Sequence, residues 1–143
     1  MYSRNIKAYQ SSSLEAELAC ADPHKVIQIL MRGFLERLAK AKGAIDRKNL
    51  EEKSRYIASC IAILSSLRIS LDFEQGGEIS ENLNALYEYM TGRLIDAGKS
   101  MDVTPIDEVA KLMITIKEGW EGIPDSAKAE AFNKRATAIE GVE

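Results

Sequence analysis

Few residues of this chain carry reactive side chains. It has one histidine, His24, and two cysteines, Cys20 and Cys60. A di-metal centre in a helical bundle takes Glu-x-x-His from two helices. No Glu stands three residues before His24, so a site of that kind is excluded. A nucleophilic triad fails too, because the only available base, His24, lies in a helix cap with no obvious partner. Cys20 and Cys60 form no metal-like pair and sit among apolar neighbours, where a thiol in a reducing cytosol acts as a small buried hydrophobe. Gly76-Gly77 follows a helix instead of a strand, and no Gly-Lys-Ser/Thr comes after it, so it reads as a helix stop and not as a phosphate loop. The acidic pairs Glu51-Glu52 and Asp107-Glu108 fall in expected first turns, where carboxylates complement the helix dipole. The chain is therefore expected not to be an enzyme and to hold no cofactor and no metal.

With catalysis set aside, size and charge bound the remaining classes. The length of 143 residues suits one domain. Hydrophobic residues are 45% and charged residues 29%, which excludes a wholly disordered chain. The net charge is −3 and the lysines and arginines are scattered, so no basic stripe exists for a phosphate backbone and nucleic acid is excluded as a partner. No apolar run approaches the ~18–20 residues of a membrane span, and direct membrane insertion is not expected. The start, Met1-Tyr2-Ser3-Arg4-Asn5, lacks a signal peptide's apolar stretch. The chain is expected to stay in the cytoplasm.

The elements that would position any site are helices. Pro23, Pro105 and Pro124 are the three prolines. Asp22-Pro23 reads as an N-cap with proline at the first helical position. From there Val26, Ile27, Leu30, Phe34, Leu38, Ala41 and Ile45 recur on one face. After the polar turn Asp46-Arg47-Lys48-Asn49, a second helix is expected from about Leu50 to Phe73, with Leu50, Ile57, Cys60, Leu64, Leu67 and Leu71 as its stripe. Gly76-Gly77 breaks it. A third helix carries Ile79, Leu83, Leu86, Met90, Leu94 and Ala97. Thr104-Pro105 opens a fourth, with Ile106, Val109, Met113, Ile116, Trp120 and Ile123, which Pro124 closes. A short leading helix is possible over residues 12–20, and a weak fifth helix, capped by Asp125-Ser126, would carry Ala129, Phe132, Ala136 and Ile139. The expected fold is all-α: an antiparallel up-and-down four-helix bundle with a short amino-terminal segment and a possible short fifth helix.

Three of these helices are more apolar than a bundle requires. A core-facing arc needs about 100° or somewhat more. Tyr56, Ile61 and Ile63 widen the second helix to about 160°, and Leu112 and Ile114 widen the fourth to about 200°, at 100° per residue. Tyr87 and Tyr89 extend opposite edges of the third. A groove for a partner chain fits this pattern. So does cover by the chain's own ends, or by a homodimer, and the pattern alone favours none of them.

The third helix carries a family resemblance. Gly76-Gly77-Glu78-Ile79-Ser80-Glu81-Asn82-Leu83, followed by Leu86-Tyr87-Glu88-Tyr89-Met90 and Arg93-Leu94, resembles the flagellin-specific export chaperones of the FliS family. Met1-Tyr2 and Ile6-Lys7-Ala8-Tyr9 resemble the family's amino terminus. Asp22-Pro23-His24-Lys25-Val26-Ile27 resembles its Ser-Pro-x-x-Leu-Ile helix opening, and Ser66-Leu67 through Leu71-Asp72 the end of its second helix. Glu108-Val109 and Trp120 with Ile123 fit its final helix. Met31-Arg32-Gly33 departs from the family's Tyr-Asp-Gly-like stretch.

The resemblance covers residues 1–123, read as an amino-terminal cap segment, 1–21, and a four-helix bundle, 22–123. Residues 124–143 form a tail whose role is open. It implies an export chaperone that binds the carboxy-terminal segment of flagellin and blocks its premature polymerisation. It further implies delivery to the type III export gate subunit FlhA. It favours the partner groove, with Tyr56, Ile63, Tyr87, Tyr89, Leu112 and Ile116 as contacts. The free protein is expected to be a monomer or weak homodimer. Ile6 and Tyr9, three apart in a polar segment, are expected to cover part of the groove until flagellin enters, or to dock on the export gate.

Overall fold

Asp22 and Pro23 open the first helix as expected. In the computed structural model, which describes residues 22–123, Asp22 Oδ1 accepts from the Lys25 N–H at 2.7 Å, satisfying one of the donors every helix start leaves free. The helix, α1, runs Pro23–Asp46. Its half-buried His24 lies 3.4 Å from Gln28, Nε2 to Nε2. Lys48 takes a left-handed backbone, φ 58, and Asn49 caps α2, Leu50–Ile69, by accepting from the Glu52 N–H.

The chain then departs from the sequence reading. α2 stops at Ile69 instead of continuing to Phe73, because Asp72 starts a new helix. Its Oδ1 accepts from the N–H groups of Glu74 and Gln75, each at 3.1 Å. This third helix, α3, spans Phe73–Ser100 with a kink at Gly77, φ 47 and ψ −122. The paired glycines thus bend the start of α3 and do not end α2. Met101, again left-handed, closes α3 by donating its N–H to Ala97 O. Asp102 accepts from the Thr104 N–H at 3.0 Å, and those bonds to Thr104 hold its carboxyl below the ordinary range. α4 follows as Thr104–Glu121.

Residues Leu30–Trp120 form one unit, which holds α2, α3, α1 from Leu30 onward and α4 up to Trp120. Cross-links give its topology. Cys60 Sγ lies 3.9 Å from Phe34 O, which joins α2 to α1. Lys53 Nζ, near the start of α2, donates to Gly98 O near the end of α3. Arg68, at the end of α2, donates to Asn84 and Glu88 in α3. Arg93 of α3 meets Glu108 of α4, and Lys42 of α1 meets Asp107 of α4 at 2.8 Å. Lys53–Gly98, Arg93–Glu108 and Lys42–Asp107 each bring late residues of one helix to early residues of another, so the order α1–α2–α3–α4 closes as an antiparallel bundle. No strand occurs among the described residues.

The core follows the predicted stripes for most of their length. Phe34, Leu38, Ala41, Cys60, Leu64, Leu67, Met90, Leu94, Ile106, Val109 and Met113 are all buried. Burying a side chain of this size contributes roughly 1.5–3 kcal/mol for the larger members. Met31, left without a role by the sequence reading, is also core. Leu50 and Ile79, expected on the inner stripes, are instead 62% and 71% exposed. Leu50 is the first residue of α2, beyond the bundle's packing. Ile79 is displaced by the Gly77 kink. The expected leading and fifth helices, with Cys20, lie outside the described residues.

Candidate functional site

The half-buried Tyr56 and Ile63 stand two turns apart on α2. The ring of Tyr56 has Lys40 Nζ of α1 at 5.8 Å and Arg55 Cζ at 5.0 Å from its centroid. Ala39, Lys40, Gly43, Arg47, Glu52 and Tyr56 line a shallow cleft here. Tyr56 and Ile63 therefore lie along the seam between α1 and α2.

Tyr89 belongs elsewhere. It is 50% exposed on α3, and its hydroxyl donates to the Glu108 carboxylate of α4, a bond that raises the hydroxyl's pKa. Arg93 Nε lies 3.3 Å from the same carboxylate, within ion-pair range though too poorly aligned for a hydrogen bond. Leu112 and Ile116, one and two turns beyond Glu108, are half-buried on the same side of α4. They form, with Tyr89, the α3–α4 seam.

Tyr87 is a correction. It is 2% exposed, and burial pushes its hydroxyl up to about 12. The inner face of α3 is Ser80, Tyr87, Met90, Leu94 and Ala97. The expected stripe of Ile79, Leu83, Leu86, Met90, Leu94 and Ala97 holds from Met90 onward; before it, Leu83 and Leu86 are half-buried, Ile79 is exposed, and Ser80 and Tyr87 take the buried positions. Ile6 and Tyr9 lie outside the described residues.

Two further seams carry apolar side chains. Ile61 stands two turns before Arg68, which reaches α3, and Ile95 two turns after Glu88, which Arg68 meets. Ile95 is 42% exposed and was missed in the sequence because it neighbours the stripe residue Leu94. Ile114 stands two turns after Asp107, the partner of Lys42 on α1, and is 44% exposed. Asp107 thus joins α4 to α1 as well as serving the first turn of α4, whereas Glu108, expected in that turn, lies beyond it and joins α4 to α3. The expected single groove over α2, α3 and α4 is replaced by apolar side chains on all four seams, with the α1–α2 and α3–α4 pairs on opposite sides.

Four antiparallel helices, bridged by ion pairs and carrying apolar side chains beside them, define a helical bundle. No group of three potential metal ligands occurs among the described residues, and no described helix is long and apolar enough to cross a membrane. A family model described as flagellar protein FliS matches residues 5–127. The flagellar secretion chaperone FliSB of Pseudomonas aeruginosa is 48% identical over 118 residues, covering 82% of this chain and 94% of its own. The flagellar secretion chaperone FliS of Salmonella typhimurium is 36% identical over 123 residues (85% and 91%), and that of Vibrio cholerae 35% over 120 (84% and 88%). The chain belongs to the FliS family. The match extends slightly past Ile123, into the tail that the sequence reading left without a counterpart.

Proposed function

We propose that this chain is a flagellar secretion chaperone that holds the carboxy-terminal segment of flagellin by letting it wrap around the bundle. The observation that carries the reading is the distribution of Tyr56, Ile63, Ile95, Tyr89, Leu112 and Ile114 over four seams. One straight helix covers a single seam. A segment that is unstructured until bound can follow several, and coupled folding of this kind commonly buries on the order of 1,000–3,000 Å². Covering that segment in the cytosol would keep flagellin from polymerising before export. Delivery to the export gate subunit FlhA, with Ile6 and Tyr9 released as flagellin enters, completes the proposal.

Leu112 is the test position. A carboxylate there would be desolvated under a bound partner, at a cost of several kcal/mol. Because Leu112 is half-buried at a seam, Leu112→Asp should keep its helical circular dichroism while flagellin affinity falls more than about a hundredfold. Flagellin lacking its carboxy-terminal segment should not be captured by the unmodified protein. Unchanged affinity in a folded Leu112→Asp protein would remove the α3–α4 seam from the site. A stable dimer, dispersed by Leu112→Asp in size measurements, would replace the reading with self-association.

A further inference from the structure

The corner between α2 and α3 inverts the usual hydrophobic pattern. Ser80 is buried, whereas its neighbour Ile79 is 71% exposed, Ile69 85% and Phe73 49%. Helical patterning would put the isoleucine inside and the serine out. Specific bonds hold this arrangement. Ser80 Oγ donates to the Asp72 carbonyl at 2.8 Å, and the Asp72 side chain caps the turn that follows. Gly76 leaves the space that the serine hydroxyl occupies, since a Cβ there would fall 1.9 Å from it. Gly77 then turns the chain with φ 47. The register this sets puts Ser80 inside and leaves Ile79 out. Their exposure is thus a property of the folded corner, and a local rule broken within a well-bonded segment points to function.

Charge identifies the occupant. From Ile69 to Gly92 the chain carries Asp72, Glu74, Glu78, Glu81 and Glu88 and neither lysine nor arginine. Glu88 is taken by Arg68 at 2.7 Å. Glu74, Glu78 and Glu81 are exposed and have no ion-pair partner among the described residues. A second copy docked symmetrically here would set these carboxylates against their own counterparts, and an anionic membrane surface would repel them.

We propose that the α2–α3 corner is a docking surface for a basic amphipathic segment of another protein. Its apolar side meets Ile69, Phe73 and Ile79, and its lysines or arginines meet Glu74, Glu78 and Glu81. The three apolar residues lie off the four seams, and the proposal stands whether or not those seams hold flagellin.

The probe is a short fluorescein-labelled helical peptide of leucine and lysine in amphipathic spacing, titrated by anisotropy against the full chain carrying Leu112→Asp, which spoils one competing apolar seam. Ile69→Ser with Ile79→Ser should weaken binding about tenfold or more, as should Glu74→Gln with Glu78→Gln and Glu81→Gln. A leucine–glutamate peptide of the same spacing should bind at least about tenfold more weakly than the lysine peptide. Circular dichroism checks the folding of each variant; if the serine pair unfolds, the glutamine triple, altered only at exposed positions, decides. Equal affinity for either folded variant and its parent overturns the proposal. Equal affinity for the two peptides does so too, as does a dimer of the natural sequence that the serine pair disperses.

Discussion

Desolvation at Cys60 and Tyr87 makes two buried side chains sensitive to alkali. Burial pushes the Cys60 thiol from 9.0 up to about 12, slightly opposed by the charge of Arg37, and the Tyr87 hydroxyl from 10.0 up to about 12. Both groups are acids whose folded pKa is raised, so the folded state keeps protons that the unfolded chain gives up. Their contribution to stability is complete below about pH 9 and is lost progressively as the pH rises toward about 12. Denaturation midpoints measured across that window should fall, and should fall less steeply in Tyr87→Phe, where one of the two titrations is gone. The thiolate is the reactive form of cysteine. In a Cys20→Ser background, a thiol reagent at neutral pH should therefore modify Cys60 only as fast as the bundle opens.

At the scale of the element, the start of α3 separates what patterning reveals from what it hides. Gly76→Ala must displace the Ser80 hydroxyl from Asp72 O, costing about one hydrogen bond, ~1 kcal/mol. In a Ser80→Ala background the same change should cost much less, and a double-mutant cycle by urea denaturation would measure that coupling. Gly77→Ala meets no neighbouring atom, so its cost of roughly 1–3 kcal/mol should come from the positive-φ backbone alone, φ 47 and ψ −122, and persist whatever stands at position 80. The four helices of residues 22–123, the Asp22 cap and the stripes through Phe34, Leu64 and Val109 were legible, because a period of 3.6 and a capping residue are local signals. The burial of Ser80 and Tyr87 in the first half of α3 was not. It depends on a serine hydroxyl reaching a carbonyl eight residues back, and an isoleucine next to that serine looks like core to any periodic reading. For the candidate site, the surplus apolar width of the helices was legible. Which seam each flank faces depends on cross-links such as Arg68–Glu88 and Lys42–Asp107, which single-helix patterns do not contain.

For the molecule as a whole, opposite seams make the proposed flagellin complex divisible. If the partner wraps, the two halves of its carboxy-terminal segment should bind separately and weakly, and joining them should raise affinity by about 10²–10⁴ through effective concentration. Calorimetry with the halves should find Tyr56→Ala weakening one and Leu112→Asp the other; one half insensitive to both would argue against wrapping. The closure of the bundle has a kinetic consequence. α1 packs on α2, α2 on α3 and α3 on α4, so most pairings are between sequence neighbours, while Lys42–Asp107 brings the first helix to the last. Chains of such low contact order fold in microseconds to milliseconds. The α1–α4 pairing closes the longest loop, so Asp107→Asn should speed unfolding in stopped-flow experiments while leaving the refolding rate nearly unchanged. A bundle that rebuilds itself on that timescale can open at one seam and be whole again before its next encounter.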